Sequence, residues 1–127
     1  RAMAFTDTAS LTALGNDLGY RHAFDQPVRW YGRSGDMLAV ISSSGASPNI
    51  LNAIEVARDL GLQIITFTGL NSDNPCRSQG DLNFYIDAKS YGLVECSHQV
   101  LLHTWLDQFL GQAEWAMAEP QNMRIVT

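Results

Sequence analysis

The chain has 127 residues, which suits one domain, and 46% of them are hydrophobic, which suits a packed core and excludes a disordered chain. The formal net charge is −5 with a single lysine, Lys89, so nucleic acid is not expected as a main partner. No stretch is long and apolar enough to span a bilayer, no secretory signal is visible, and Cys76 and Cys96 form no CxxC motif; free thiols in a cytoplasmic protein without a membrane partner are expected.

In chain order, Arg1 leads at once into the apolar residues 2–5, as expected of a piece whose upstream part lies elsewhere. Residues 2–6 (AMAFT) read as a buried strand, with a turn at Asp7-Thr8. A short helix is expected over residues 10–14, broken by Gly15-Asn16-Asp17. Residues 20–31 read as partly helical, with Pro27 tolerated only near a helix start. Residues 32–36 form a loop, and the apolar run 37–41 is a central strand. Residues 48–60 are the clearest helix, because Ile50, Leu51, Ile54 and Ala57 share one face and Gly61 can end it. A strand over 62–68, a loop with one helical turn over 70–81 and a strand over Leu82–Ile86 follow. A long helix is expected from about Gly92 to Gln112, and an irregular tail after it.

Strands apolar on both faces that alternate with helices predict an α/β fold, a mainly parallel sheet in a three-layer sandwich. Ligands of such sheets bind beyond the carboxyl ends of the strands. The turn Ser42-Ser43-Ser44-Gly45-Ala46-Ser47 lies at such an end, directly before the clearest helix. Ser47 can cap that helix and Pro48 suits its first position. Backbone N–H groups and the helix dipole there make a ready anion site, most often for phosphate. From pattern alone a plain serine-rich connection is equally good; the end of the strand at which the turn lies favours the anion site.

Residues 35–69, GDMLAVISSSGASPNILNAIEVARDLGLQIITFTG, resemble the core of the sugar isomerase (SIS) fold. Within it the chain is most similar to the phosphoheptose isomerases. Residues 16–20 match their NDxGY element, and the segment 95–103 matches the spacing of their QExHxxxxH helix. The resemblance covers roughly residues 2–110 and implies an SIS domain over 1–112 with a tail over 113–127. It implies that Ser42, Ser44 and Ser47 bind a phosphate and that Asp17 contacts the sugar. Ser43 belongs to the same hydroxyl cluster, although its side chain is expected to point away and to pack or cap. It implies that His103 acts in acid–base chemistry and that Glu95, where the family usually has glutamine, is a further catalytic or substrate contact. Both could ligate zinc; no organic cofactor is implied. Ala46 stands where asparagine is common and Gly92 where an aspartate often faces the substrate. The family also has an upstream helix with a histidine and a glutamate, and a Gly/Ser-rich loop, none of which lies in these residues.

The implied reaction is aldose–ketose isomerisation of a phosphorylated sugar, sedoheptulose 7-phosphate or a similar one, through an enediol(ate). It needs a base near C1 and C2, an acid or metal for the developing oxyanion, and an anchor for the remote phosphate. Glu95 and His103 lie about 12 Å apart along a helix and roughly 80° around it. His98 lies about 140° around from His103, so it reads as a surface or interface histidine that cannot share their site. The broad apolar surface of the last helix favours a homo-oligomer, and the family is typically tetrameric with sites between subunits. The alternative is a non-catalytic SIS module that senses a phosphosugar or acts as a scaffold, like the bacterial protein that associates with the replication initiator. A hydroxyl-nucleophile hydrolase is disfavoured, because ISSSGAS is not a GxSxG elbow.

Overall fold

The computed structural model describes residues 2–111. In order they form α1 (Thr8–Asp17), a 3₁₀ turn (Tyr20–His22), α2 (Asp25–Tyr31), β1 (Met37–Ser42), α3 (Pro48–Asp59), β2 (Gln63–Gly69), a second 3₁₀ turn (Pro75–Ser78), β3 (Leu82–Ile86) and α4 (Tyr91–Leu110). The strands form one parallel sheet in the order β1-β2-β3. Met37 faces Gln63 and Ser42 faces Thr68 across the first pair; Ile65 faces Leu82 and Gly69 faces Ile86 across the second.

Alternation along each strand sends side chains to two faces. On one face Val40 and Ile64 pack with Val28 of α2 and with Ala53, Ile54, Val56 and Ala57 of α3. Full burial of a side chain such as Ile54 contributes about 2–3 kcal/mol. On the other face Phe67 stacks on Phe84 at 4.9 Å between ring centroids and lies beneath His98 and Trp105 of α4. Helices on both faces of a parallel sheet give the expected α/β sandwich. The coverage is unequal, since Met37 and Ile41 of β1 and Leu82 of β3 stay about half exposed on the α4 side.

Where β2 meets β3, a polar seam sets the pairing. Asn83 Nδ2 donates to the Thr66 hydroxyl at 2.7 Å, and lies 3.2 Å from both the Thr66 carbonyl and the Thr68 hydroxyl. Thr66 and Thr68 are fully buried, so these bonds satisfy groups that water cannot reach.

Two expectations need correction. Residues 2–6 are not a strand: they have no regular structure and are exposed apart from the half-buried Phe5, whose ring stacks with Tyr31. A short apolar run is a strand only beside a partner edge, and the described sheet offers it none. The first helix is longer than expected, running through Gly15-Asn16-Asp17 to Asp17. It starts at an Asp7 N-cap whose carboxylate accepts from the Ser10 N–H at 2.7 Å, and the Leu18 N–H closes it on the Leu14 carbonyl. These weak helix formers lie in its last turn, where each costs less than in a helix interior. Pro27 stands as expected near a helix start: it is the third residue of α2, still within the first turn, where no helical partner for its missing N–H is lost. The tail over 113–127 lies outside the described residues.

Candidate functional site

The serine turn follows β1 and feeds α3. Gly45 makes it possible: its φ is +59°, a left-handed conformation that suits glycine, and a Cβ there would overlap the Asn74 amide. The Gly45 N–H donates to the Ser42 carbonyl at 3.0 Å and lies 3.2 Å from the Ser42 hydroxyl. The Gly45 carbonyl accepts from the Cys76 N–H at 3.0 Å. Buried Asn74 caps the 3₁₀ turn from below, accepting from the Arg77 N–H and donating to the Asn71 carbonyl. The turn is therefore braced on two sides by its own backbone and by residues 74–76.

This bracing leaves donors free. Among the described residues, the N–H groups of Ser44, Ala46 and Ser47 reach no backbone acceptor. The Ser44 and Ser47 hydroxyls likewise make no hydrogen bond among the described residues. Ser47 occupies the N-cap position of α3, yet its side chain makes no capping bond, contrary to the sequence expectation; its carbonyl accepts from Ile50 and Leu51 instead. Free amides, free hydroxyls and the positive end of a 12-residue helix together suit an anion. Ser42 differs: it is buried, and its hydroxyl is used inside the turn.

Ser43 joins the turn to α4, its hydroxyl lying 3.4 Å from Glu95 Oε1. Beyond Glu95, a groove of about 380 Å³ runs between α4 and the end of β1, lined by Ile41, Glu95, His98, Gln99, Leu102 and His103, among others. Both residues expected to do chemistry, Glu95 and His103, therefore face one space at the carboxyl edge of the sheet. Asp17 is not among the residues lining that groove. It ends α1, and its carboxylate accepts from Asn16 Nδ2 at 2.8 Å.

His98 overturns its sequence reading. It is 1% exposed rather than at the surface, and it lines the same groove as His103. The groove spans several turns of α4, so its wall takes residues that differ widely in angle around the helix. A signal was present: Val94, His98, Leu101, Leu102 and Trp105 fall at i, i+4, i+7, i+8 and i+11, the face that packs on the sheet. Gln99 and Asn74 were also missed. Asn74-Pro75 reads only as a turn, and nothing in the sequence shows that its amide fills the space beneath Gly45.

Glu95 and His103 could give two ligands to a metal ion, but among the described residues no group of three or more His, Cys, Asp or Glu side chains forms a metal cluster. The described residues do not make a zinc site by themselves. A Cβ on Gly92 would meet nothing within 4 Å, so an acidic side chain would fit there although this chain has none. Burial pushes the Cys76 thiol up to about 11. No helix among the described residues is long and apolar enough to cross a membrane.

Comparison with known proteins agrees with this fold. Over 66 residues the chain is 56% identical to a phosphoheptose isomerase from a Bradyrhizobium species, covering 52% of this chain and 33% of that protein. It is 39% identical over 99 residues to the phosphoheptose isomerase of Aliarcobacter butzleri, covering 78% and 52%. The chain thus spans a third to about half of the length of these curated relatives. The solved phosphoheptose isomerase of Neisseria gonorrhoeae superposes with a TM-score of 0.81 at 33% identity, over 84% of this chain and 61% of that one. A family model described as an SIS domain matches residues 1–69. That span is more than half of the sequence, and it holds the serine turn, α3 and β2: the chain belongs to the SIS domain family.

Proposed function

We propose that the full protein is a phosphosugar isomerase that interconverts a ketose and an aldose phosphate of the sedoheptulose 7-phosphate class. The observation that supports this most is the braced serine turn with its free amides and hydroxyls, which Ser43 brings within 3.4 Å of Glu95 on the groove that His103 also lines. The similarity to phosphoheptose isomerases supports the same reading.

In this mechanism the phosphate sits on the Ser44 and Ser47 hydroxyls and the free N–H groups at the start of α3. Ser42 shapes the turn and Ser43 links it to Glu95. Holding the far end of the substrate lowers the entropic cost of presenting C1 and C2 to the groove. Asp17 contacts sugar hydroxyls. A carboxylate at a helix C-terminus opposes the macrodipole, a local cost that suits a residue placed for a ligand. His103 gives a proton to the carbonyl oxygen as the adjacent carbon loses one, and takes the neighbouring hydroxyl proton as the enediol collapses to the other isomer. Glu95 orients the hydroxyls between them. The base that acts on carbon is assigned to the part of the relatives' length that this chain does not span. Zinc on Glu95 and His103 would need further donors from the same part. Exposed Leu93, Val100 and Phe109 on α4 support assembly of several copies, with sites between subunits.

The test is conversion of sedoheptulose 7-phosphate by the full-length protein in D2O, followed by NMR. Deuterium entering the exchanged carbon is expected, and failure with every C5–C7 phosphosugar would sink the proposal. Replacing Ser44 and Ser47 together by alanine should raise KM on the order of 10²–10⁴-fold, since hydrogen bonds to a charged group are worth about 1.5–3 kcal/mol each. Glu95 adds negative charge beside an anion site, which favours the sensing module as the second reading. Tight phosphosugar binding without turnover would establish that reading instead.

A further inference from the structure

We propose that His98 is a positioning residue that holds the two halves of the site at a fixed spacing, acting as a clasp between α4 and the end of β2. Only two side chains of the 20-residue α4 are buried, Val94 and His98. Both dock on Thr68-Gly69. His98 Nε2 lies 3.0 Å from the Thr68 carbonyl, and a Cβ on Gly69 would come within 2.6 Å of Val94 Cγ1. Gly69 thus lets the helix approach, and His98 fixes its height along the strand. The same dipeptide holds the serine turn from the other side, because the Gly69 N–H donates to the Ser43 carbonyl at 3.0 Å. The phosphate turn and the helix bearing Glu95 and His103 are therefore referenced to two adjacent residues of β2.

The chemistry of the contact assigns the tautomer. A carbonyl oxygen only accepts, so Nε2 bears the proton. His98 Nδ1 is buried with no protein partner, which leaves it as the lone-pair nitrogen. The Phe67 ring meets the imidazole edge-on at 6.0 Å between centroids and confines it further. A leucine at this position would fill the space but leave the Thr68 carbonyl unpaired and α4 free to slide. His98 touches no reacting atom in this account. It acts through Glu95 and His103, three residues before it and five after.

The kinetic part of the test rests on the isomerase reading, and the spectroscopic part does not. In the full protein, His98→Phe should lower kcat on the order of 10²-fold, the cost expected of a small misplacement of reacting groups. Its Kd for inorganic phosphate should be unchanged, because the serine turn keeps its own bracing. His98→Gln, whose amide nitrogen reaches the Nε2 position, should restore most of kcat. Long-range ¹H–¹⁵N NMR of the wild-type imidazole should place the proton on Nε2, and the amide signals of Ser43 and Glu95 should move in His98→Phe and return in His98→Gln. A proton on Nδ1, a folded His98→Phe protein with wild-type kcat, or a His98→Gln protein no better than His98→Phe would overturn the clasp. If the wild type turns over no phosphosugar, the isomerase reading falls, while the tautomer and the amide shifts still decide the clasp. If His98→Phe does not fold, the wild-type tautomer and His98→Gln decide it.

Discussion

The serine turn and helix α4 meet at the Ser43–Glu95 contact but are held in place very differently. The turn is fixed from within: Gly45 is bonded to Ser42 and Cys76, Asn74 fills the space beneath it, and the hydroxyls left over are the ones suited to a phosphate. Helix α4 rests on the sheet through two buried side chains, and Glu95 and His103 project from it at exposed positions. An anchor benefits from being preset, since every degree of freedom frozen beforehand is not lost on binding. On the proposed function, groups that move protons must be reached by the substrate and by whatever completes the site, which suits the less enclosed element.

The largest expected effect separates the two regions by function. His103→Ala should lower kcat by about 10²–10⁴-fold, the usual range for losing a general acid–base group, with little change in inorganic phosphate affinity by calorimetry. A matching loss of phosphate affinity would show that the regions do not divide the work as described. Next is Gly45→Ala, which forces a side chain into the left-handed region and against Asn74. It should cost about 3 kcal/mol in urea unfolding and abolish phosphate binding. A stable variant that still binds phosphate would mean that the turn is not preset.

A gain is expected at the start of α4. Gly92→Asp enters open space in the first turn of a helix, where removing glycine and adding a carboxylate together should stabilise by about 1 kcal/mol in thermal unfolding. Destabilisation would show that this end of the helix is more enclosed than described. The smallest effect uses the two thiols as reporters. Cys96 on α4 should react promptly with a thiol reagent, and Cys76 beneath the turn only on opening. Burial raises the Cys76 thiol from 9.0 to about 11, so the fold favours the protonated form. Its contribution to stability is complete below about pH 9 and should be lost as pH rises through about 11, a loss absent from Cys76→Ala. Equal reactivity of the two thiols would erase the contrast between the regions.

Most of the sheet and its helices were legible because their signals are local. The face formed by Ile50, Leu51, Ile54 and Ala57, the apolar run at 37–41 and Leu82–Ile86 all became the expected elements. The serine turn was legible for the same reason, with strand, small residues, proline and helix in a row. What failed depends on partners distant in sequence. Residues 2–6 look like a strand, but a strand is a property of two segments. His98 was misplaced because angle was measured only against His103, whereas burial is set by Phe67 and Thr68 some thirty residues upstream. Asn74 lay unremarked within the loop expected over 70–81, because the space beneath Gly45 that its amide fills is built by residues some thirty positions upstream.

The seam of Asn83 with Thr66 and Thr68 has a consequence for assembly of the chain. A slip of β3 by one residue would turn Asn83 to the Phe67 side, away from every hydroxyl that now receives it, and would leave two buried threonines unpaired. The amide thereby disfavours wrong alignments of β3. Since α4 begins five residues after β3 ends, the accepted alignment also settles where that helix leaves the sheet. An error of one position in β3 would displace the helix start by about 3.3 Å, more than the Ser43–Glu95 contact could span.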